Sequence, residues 1–99
     1  MTGIALRPEA VAELSAAIDW YESCAPGLGS DFLRSFEAAL ASLRRHPKIH
    51  PKVWAEARRA ALRRFPYGVI YVELSDTDSI LIVACMHFRR HPRQWQARL

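Results

Sequence analysis

Residues 80–95 read ILIVACMHFRRHPRQW, an apolar run that leads directly into a cluster of basic and aromatic residues. Within residues 80–88, His87 is the one side chain that can carry a charge. A run of this length and composition predicts a buried strand that is apolar on both faces, and both faces of such a strand must be covered. We therefore expect a strand inside a sheet, and we expect catalytic or binding residues where the chain leaves the C-terminal end of that strand.

Two amphipathic helices are predicted ahead of the sheet. Apolar side chains recur every three or four positions in residues 9–24 and again in about 30–45, which places them on one side of each helix. They are Val11, Leu14, Ile18 and Tyr21 in the first segment and Phe32, Phe36, Leu40 and Leu43 in the second. The link CAPGLG at 24–29 breaks the helix, and so short a link predicts an antiparallel hairpin. A short strand at 4–6 is expected before Pro8, whose fixed φ suits a first helical turn.

The second half of the chain predicts strands. Residues 58–65, 69–74 and 80–88 favour a three-stranded antiparallel meander, with a polar turn at 75–79 and an irregular connection at 49–56. The expected fold class is α+β: a short N-terminal strand, an antiparallel helical hairpin and the three-stranded meander. One domain is expected over residues 1–99, since this length supports a single core.

Strict alternation along the last strand assigns its side chains to two faces. Ile80, Ile82, Ala84, Met86 and Phe88 fall on one face, and Leu81, Val83, Cys85 and His87 fall on the other. Two helices can cover only one of these faces. The other needs the C-terminal segment through Trp95, a second copy of the chain or a partner, because an uncovered apolar patch on the order of several hundred Å² is unusual.

The two halves of the chain carry opposite charges. Residues 1–43 hold two basic and six acidic side chains, a net charge of −4, whereas residues 44–99 hold twelve basic and four acidic ones, a net charge of +8. A basic half attracts an acidic protein or nucleic acid, and a merely solvated surface is the alternative. There is no apolar run of signal-peptide or membrane-spanning length, so a cytoplasmic protein without membrane contact is expected.

Neither a nucleotide site nor a metal site is predicted. The only close glycines stand in the helix link and not in a phosphate-cradling loop. Two histidine pairs have the four-residue spacing that zinc can use on a helix, but Pro47 interrupts the first pair and a strand end interrupts the second. These pairs are His46 with His50 and His87 with His91. We expect no cofactor and no metal.

Covalent catalysis is not predicted either. No serine or cysteine has the sequence setting of a nucleophile. Cys24 and Cys85 are 61 positions apart without metal or redox spacing, so we expect no disulfide. Cys85 lies in the apolar strand and is interpreted as a small core residue.

The remaining candidates for chemistry are histidine and arginine side chains. Metal-free cleavage of RNA needs a base, an acid and cations that stabilise added phosphate charge, and histidine with arginine supplies all three. The residues concerned are His87, Arg89, Arg90, His91 and Arg93, with Arg63 and Arg64, which we expect on a strand of the same sheet. The structural alternative is that the arginines are solvated, His87 is a hydrogen-bonded strand end and Trp95 is a core residue.

Seven stretches of the chain occur in a familiar order: EAVAEL at 9–14, AIDWY at 17–21, PGLG at 26–29 with Phe32, HP at 46–47, RRAALRRFPY at 58–67, IY at 70–71 and HFRRHPRQW at 87–95. Together they resemble the RelE/ParE superfamily of toxins from type II toxin–antitoxin systems, also called plasmid stabilisation proteins. The resemblance covers nearly the whole chain. It implies a helical hairpin packed on an antiparallel sheet, the fold predicted above.

The resemblance also implies a partner. Such a toxin is neutralised by an antitoxin encoded beside it, whose C-terminal segment wraps the toxin as a helix or strand and covers apolar surface. Antitoxin segments of this kind are often acidic, which suits the basic half of this chain, and a segment that folds on binding covers a large surface. A dimer or a hetero-oligomer with the antitoxin is an expected assembly.

Two activities occur in this superfamily. RelE-like toxins cut messenger RNA in the ribosome, whereas ParE-like toxins bind and poison DNA gyrase. The nuclease pattern has an arginine after the tyrosine that opens the central strand, and a tyrosine six positions beyond the arginine that follows the last strand. Here Gly68 follows Tyr67, and Trp95 stands six positions beyond Arg89. Neither glycine nor indole supplies the missing catalytic group.

The resemblance therefore favours a ParE-like toxin that acts by binding DNA gyrase. Its target-binding residues would be Arg89, Arg90, Arg93 and Trp95. The alternative is a ribosome-dependent messenger RNA endonuclease, in which His87 is the acid or base and phosphate is held by Arg63, Arg64, Arg89 and Arg90. A degenerate, inactive toxin is the third possibility.

Overall fold

The computed structural model describes residues 3–75 and 77–99. In chain order its elements are β1 (Gly3–Leu6), α1 (Pro8–Cys24), α2 (Leu28–Arg45), β2 (Lys52–Trp54), β3 (Ala57–Ala61), β4 (Tyr67–Leu74), β5 (Ser79–His87) and α3 (Arg93–Gln96). The predicted α+β class, with its first strand and its two long helices, is confirmed. The predicted turn at 75–79 includes Asp76, which lies outside the described residues.

Within the described residues, five strands form one sheet in the order β1-β5-β4-β3-β2. β1 runs parallel to β5, whereas β2 with β3, β3 with β4 and β4 with β5 pair antiparallel. The expected meander is β3-β4-β5, and β1 and β2 extend it at the two edges. β5 therefore lies inside the sheet between β1 and β4, as its apolar composition predicts.

The helical hairpin is held by Glu22 and two glycines. Gly27, just before α2, has a φ of +88°, a left-handed conformation that glycine adopts without strain. The Glu22 carboxylate accepts hydrogen bonds from the backbone N–H groups of Gly27 and Gly29, each at 3.0 Å, and so satisfies donors that a helix start leaves unpaired. Gly29 also allows a close helix approach, since a Cβ there would lie 2.8 Å from the carbonyl oxygen of Ile18.

The hairpin packs on one side of the sheet, which we call the helix face. The core on this side joins apolar residues of both helices to alternate residues of the strands; its members include Ala10, Ala17, Phe32, Phe36, Leu43, Val69, Tyr71, Ile80, Ile82 and Cys85. Tyr71 is completely buried, and its hydroxyl donates a hydrogen bond to the carbonyl oxygen of Pro47 at 2.7 Å. The one polar atom of this large core side chain is therefore paired.

A β-bulge in β5 interrupts the strict alternation predicted for that strand. Tyr71 pairs with Ile82 and Ile70 pairs with Ala84, so Val83 is an extra residue between the two pairs. Residues 80 and 82 pack in the helix-face core, but beyond the bulge residue 85 packs there, and residues 84 and 86 pack on the opposite side. The prediction that 80, 82, 84 and 86 share one face is wrong, because one extra residue reverses the pleat.

The other side of the sheet, which we call the open face, has an apolar cluster of its own. It consists of Ala57, Ile70, Val83, Ala84, Met86 and Trp95. Trp95 comes from α3 and is only 6% exposed. The C-terminal segment, a second copy of the chain and a partner were the three predicted ways to cover this side of the sheet. The structure shows the first, because Trp95 of the C-terminal segment packs on it.

Two parts of the sheet differ from the prediction by more than two residues. β2 forms within the segment 49–56, which was expected to be irregular; the Arg58 guanidinium steadies this segment by donating to the carbonyl oxygens of Lys48 at 2.9 Å and His50 at 2.7 Å. The strand expected at 58–65 ends at Ala61. There the Leu62 N–H donates to the Tyr67 carbonyl oxygen at 2.9 Å and closes a tight loop.

Candidate functional site

The basic segment, residues 87–93, begins at the last residue of β5, and β4 starts at the same end of the sheet. Tyr67 is the register partner of His87, and their ring centroids are 5.3 Å apart. The Phe88 N–H donates to the carbonyl oxygen of Pro66 at 2.9 Å. The end of β5 is thus bonded to the β3–β4 loop just before residues 89–93, where the chain turns.

Two matching turns shape the basic segment. The backbone N–H of Arg89 donates to Nδ1 of His87 at 3.0 Å, and the backbone N–H of Arg93 donates to Nδ1 of His91 at 3.1 Å. A nitrogen that accepts a hydrogen bond carries no proton, so each neutral ring holds its proton on Nε2. Both histidines therefore have a structural part in setting the direction of the arginines that follow them.

Trp95 and Arg98 fasten this segment to the sheet. Trp95 packs in the open-face cluster and makes an edge contact with Trp54, with ring centroids 6.3 Å apart. Arg98 donates to both carboxylate oxygens of Glu13, at 2.9 and 2.8 Å, and to the carbonyl oxygen of Val83 at 3.1 Å. Trp95 itself, at 6% exposure, has little surface for direct contact with a target, so its position is that of an anchor.

Arg98 and Glu13 also complete the edge of β5. β1 pairs with β5 as far as Ile82, and beyond that residue no strand of the described residues pairs with β5 on this side. The Glu13 carboxylate accepts a hydrogen bond from the Cys85 N–H at 3.1 Å, and Arg98 donates a hydrogen bond to the Val83 carbonyl oxygen. Two side chains thus satisfy backbone groups that a strand would otherwise satisfy. No local sequence pattern indicates this pair, since its members are 85 positions apart.

Arg89, Arg90 and Arg93 are exposed. In the part of the chain that the structure describes, no carboxylate lies within 4.0 Å of their guanidinium groups. Arg90 donates to the side-chain oxygen of Gln94, at 3.2 Å. By contrast, Arg98 is paired with Glu13. Three unneutralised cations on an anchored turn form a surface that attracts anionic groups.

Arg63 and Arg64 stand in the β3–β4 loop and not on a strand, so that part of the prediction is wrong. Arg64 has a φ of +71°, and its guanidinium lies 3.6 Å from the carboxylate of Asp31 on α2. The carbonyl oxygen of Arg63 accepts a hydrogen bond from the Ser35 hydroxyl at 2.7 Å. The loop reaches the same end of the sheet as His87, but these contacts tie it to α2.

Two cavities meet at Met86, His87 and Arg90, all of which line both. The helix-side groove, of 530 Å³, lies between α1 and the end of the sheet; its other lining residues include Glu13, Ala17, Trp20 and Tyr67. The open-face cavity, of 330 Å³, has Ile70, Met86 and Trp95 among its lining residues. Trp20 is 60% exposed, so the rim of the groove presents a large apolar side chain to solvent.

The hydroxyl and thiol groups next to this site stay protonated at neutral pH. Burial raises the pKa of Tyr67 above its ordinary value. Burial, reinforced by the Glu13 carboxylate, raises the pKa of Cys85 to about 12. Neither group is therefore a nucleophile or base at neutral pH. Cys85 is a buried core residue, as predicted, and Cys24 is exposed and free.

No cluster of three or more metal-ligating side chains occurs among residues 3–75 and 77–99. Within the same residues no helix is both long and apolar enough to cross a membrane. Arg59 was not among the predicted site residues; its guanidinium carbon lies 5.0 Å from the centroid of the Phe88 ring. The alternation of β3 places Arg59 on the open face with Ala57, a signal that the sequence contained.

A family model described as the ParE toxin of type II toxin–antitoxin systems, parDE, matches residues 4–92. No curated protein has significant sequence similarity to the chain.

Solved structures share the fold. The intact E. coli RelBE toxin–antitoxin complex contains a chain with a TM-score of 0.68 at 14% identity, covering 91% of this chain and 100% of that one. The chromosomal ParDE system from P. aeruginosa gives 0.62 at 16% identity, covering 88% and 96%. The RelBE2 complex from Mycobacterium tuberculosis gives 0.61 at 18% identity, covering 87% and 96%. At these identities the likeness is one of fold.

Proposed function

Because the chain belongs to the ParE toxin family of type II toxin–antitoxin systems, we propose that it acts by binding and poisoning DNA gyrase and that a cognate antitoxin neutralises it. The resemblance found in the sequence is confirmed by this family membership. Arg89, Arg90 and Arg93 are the proposed target-binding residues, and Trp95 is the proposed anchor that holds them in place. The proposed place of action is the cytoplasm.

The observation that carries this proposal is the set of three unneutralised arginines on a fixed turn. Both ends of the segment are held, by the pairing of β5 with β4 at one end and by buried Trp95 at the other. A fixed presentation lowers the ordering cost of binding, and arginines are frequent anchors of protein interfaces. The neighbouring Tyr67 and Cys85 stay protonated at neutral pH, so neither supplies a nucleophile or a base at this site.

Charge and shape support the antitoxin as a second partner. The helix-side groove is bordered by α1 and by His87 and Arg90, and Trp20 stands exposed at its rim. An acidic segment with apolar side chains would cover Trp20 and neutralise the arginines together. Neutralisation would then follow from occupation of the target-binding residues.

One observation favours a second function, ribosome-dependent cleavage of messenger RNA. His87 lies between the two cavities beside Arg90. Its Nδ1 accepts a hydrogen bond from the Arg89 N–H, so this ring can exchange a proton with a substrate only when that hydrogen bond opens. In that function His87 is the acid or base, and Arg89 and Arg90 hold phosphate together with Arg63 and Arg64 of the β3–β4 loop.

Inducible expression in a bacterium without the antitoxin distinguishes these functions. Gyrase poisoning predicts DNA-damage signalling and filamentous cells. Ribosomal cleavage predicts a rapid stop of protein synthesis with cut transcripts and would replace the proposal. Normal growth with a folded, abundant product would indicate an inactive toxin. His87→Ala is the companion variant, because toxicity that survives this change in a folded protein removes His87 as an essential acid or base.

A further inference from the structure

Gly68 leaves a gap on the open face that the side chain of Arg59 fills. Gly68 is buried near the start of β4. A Cβ at this position would lie 2.7 Å from Cδ and 2.8 Å from Cγ of Arg59, and 3.1 Å from Cε1 of Phe88. The absence of a side chain at residue 68 is therefore what allows the aliphatic part of Arg59 to cross β4.

The far end of Arg59 is held by an aromatic ring. Its guanidinium carbon lies 5.0 Å from the centroid of Phe88, a distance at which a cation is attracted to the ring face. The backbone of Phe88 is held by the hydrogen bond that its N–H donates to the Pro66 carbonyl oxygen. The position of the Arg59 charge is thus set from both sides, by the gap at Gly68 and by the ring of Phe88.

This charge stands at the edge of the open-face cavity. Arg59, His87 and Arg90 all line that cavity, above an apolar floor of Ile70, Met86 and Trp95. Among the described residues that line it there is no aspartate or glutamate. In the part of the chain that the structure describes, Arg59 also has no carboxylate within 4.0 Å. The cavity combines unneutralised cations with an apolar floor.

We propose that Arg59 is a further target-binding residue and that the open-face cavity binds an acidic side chain of a protein target, with Arg59 and Arg90 on its carboxylate. The inference rests on the proposed function, because it names the chemistry of that target's contact. A bidentate arginine–carboxylate contact suits the guanidinium groups, and an apolar neighbour of the acidic residue would cover the floor.

The aromatic groups of the cavity argue against a strand of RNA as its occupant. Single-stranded RNA is held by bases that stack on open aromatic faces. Here Trp95 is 6% exposed and offers no stacking platform, and Arg59 covers one face of the Phe88 ring, so Phe88, at 46% exposure, offers a base at most one face. The cavity therefore fits an acidic protein segment better than a nucleic acid.

The test compares purified variants for inhibition of DNA supercoiling by purified DNA gyrase. Arg59→Met keeps the aliphatic stem and removes the charge, and we expect an increase of about tenfold in the concentration for half inhibition, the size of one lost charge-assisted contact. Arg45→Met removes an exposed arginine on α2 and serves as the matched control, with an expected change below about twofold.

Gly68→Ala keeps the Arg59 charge but moves it. The added methyl displaces a flexible, exposed side chain, so the fold survives while Arg59 leaves the Phe88 ring. Nuclear magnetic resonance reports this directly, because the upfield ring-current shift of the Arg59 methylene protons is lost. Inhibition is expected to weaken several-fold in the wild-type background and to remain unchanged in the Arg59→Met background, since no charge is left to misplace.

The outcomes separate the inference from the function it rests on. A wild-type protein that inhibits gyrase, together with an equally potent Arg59→Met variant, overturns the inference alone. A wild-type protein without effect on gyrase overturns the proposed function, and the inference falls with it. If Arg59→Met instead abolishes ribosome-dependent cleavage of messenger RNA, the cavity holds phosphate and the carboxylate assignment is wrong.

Discussion

Removal of the Trp95 side chain should destabilise the protein far more than removal of Trp20, although the chemical change is the same. Trp95 is 6% exposed and packs on Ala57, Ile70 and Met86, whereas Trp20 on α1 is 60% exposed. The comparison therefore isolates the contribution of burial. It tests whether the C-terminal segment covers the open face in solution.

The expected size follows from the buried area. A fully covered tryptophan buries about 200 Å² of side-chain surface, and each Å² contributes about 25 cal/mol. Scaled by exposure, Trp95→Ala costs about 4–5 kcal/mol and Trp20→Ala costs about 2 kcal/mol. Both values are upper limits, because the unfolded chain already covers part of this surface. The two variants should differ by about 2–3 kcal/mol in the free energy of unfolding, which for a chain of this length is about 10 °C or more in Tm.

Circular dichroism with urea and thermal unfolding measures this difference. Hydrogen exchange of the Cys85 N–H adds a local probe, since that N–H donates to Glu13, the partner of Arg98. Exchange there should accelerate in Trp95→Ala and stay slow in Trp20→Ala. Equal stabilities of the two variants, within about 1 kcal/mol, would show that Trp95 is not an anchor and would remove the basis for a fixed arginine turn.

Three further predictions concern the framework of the site. Tyr71→Phe removes the hydroxyl that donates to Pro47 at 2.7 Å and should lower the free energy of unfolding by about 1 kcal/mol in urea titrations; an unchanged midpoint would contradict this. In Gly27→Ala the added Cβ has no neighbour within 4 Å, but the residue must keep a φ of +88°, which is strained for alanine. We expect the free energy of unfolding to fall by about 1 kcal/mol, and a higher Tm would contradict this. Burial is the main cause that lowers the pKa of His50 below its ordinary 6.5, and the charge of Arg58 lowers it further. The unfolded state therefore takes up the proton more readily than the folded state, and stability should fall as the pH drops from 6.5 toward the folded-state pKa. His50→Gln should reduce this acid-side loss between about pH 7.5 and 5, and an unaltered pH dependence would exclude His50 as its source.

The helices and the interior strand could be predicted because their patterns are local. Phe32, Phe36 and Leu43 repeat at helical spacing and are buried on one side of α2. The uncharged run of β5 similarly predicts a covered strand. In both cases hydrophobic periodicity and burial agree, so the sequence alone was sufficient.

The errors arose where side chains from distant positions decide the backbone. At the bulge at Val83, Arg98 donates to the Val83 carbonyl oxygen and Glu13 accepts from the nearby Cys85 N–H. No residue within 80–88 indicates this bulge. The loop with Arg63 and Arg64 is tied to α2 by Asp31 and Ser35, which removes both arginines from the strand predicted for them. Such contacts connect residues 28 or more positions apart and leave no local pattern.

The candidate site was only partly predictable for the same reason. The arginines at 89, 90 and 93 were proposed because they follow the apolar strand directly. Arg59 was not proposed, because its position depends on the absence of a side chain at residue 68. Trp95 was expected to bind the target, whereas its burial suits an anchor of the segment. The sequence motif thus led to the candidate surface, and the packing changed the role proposed for Trp95.

The most direct test of the central claim is gyrase inhibition by a protein with its arginine turn neutralised. The variant with Arg89→Gln, Arg90→Gln and Arg93→Gln should fold with a Tm close to that of the wild-type protein, because these side chains have no ionic partner in the part of the chain that the structure describes. It should lose inhibition of DNA supercoiling by at least about a hundredfold, the product of several charge-assisted contacts. Arg44→Gln with Arg45→Gln on α2 is the matched control and should inhibit like the wild-type protein. A folded triple variant that inhibits gyrase as strongly as the wild-type protein would contradict the account.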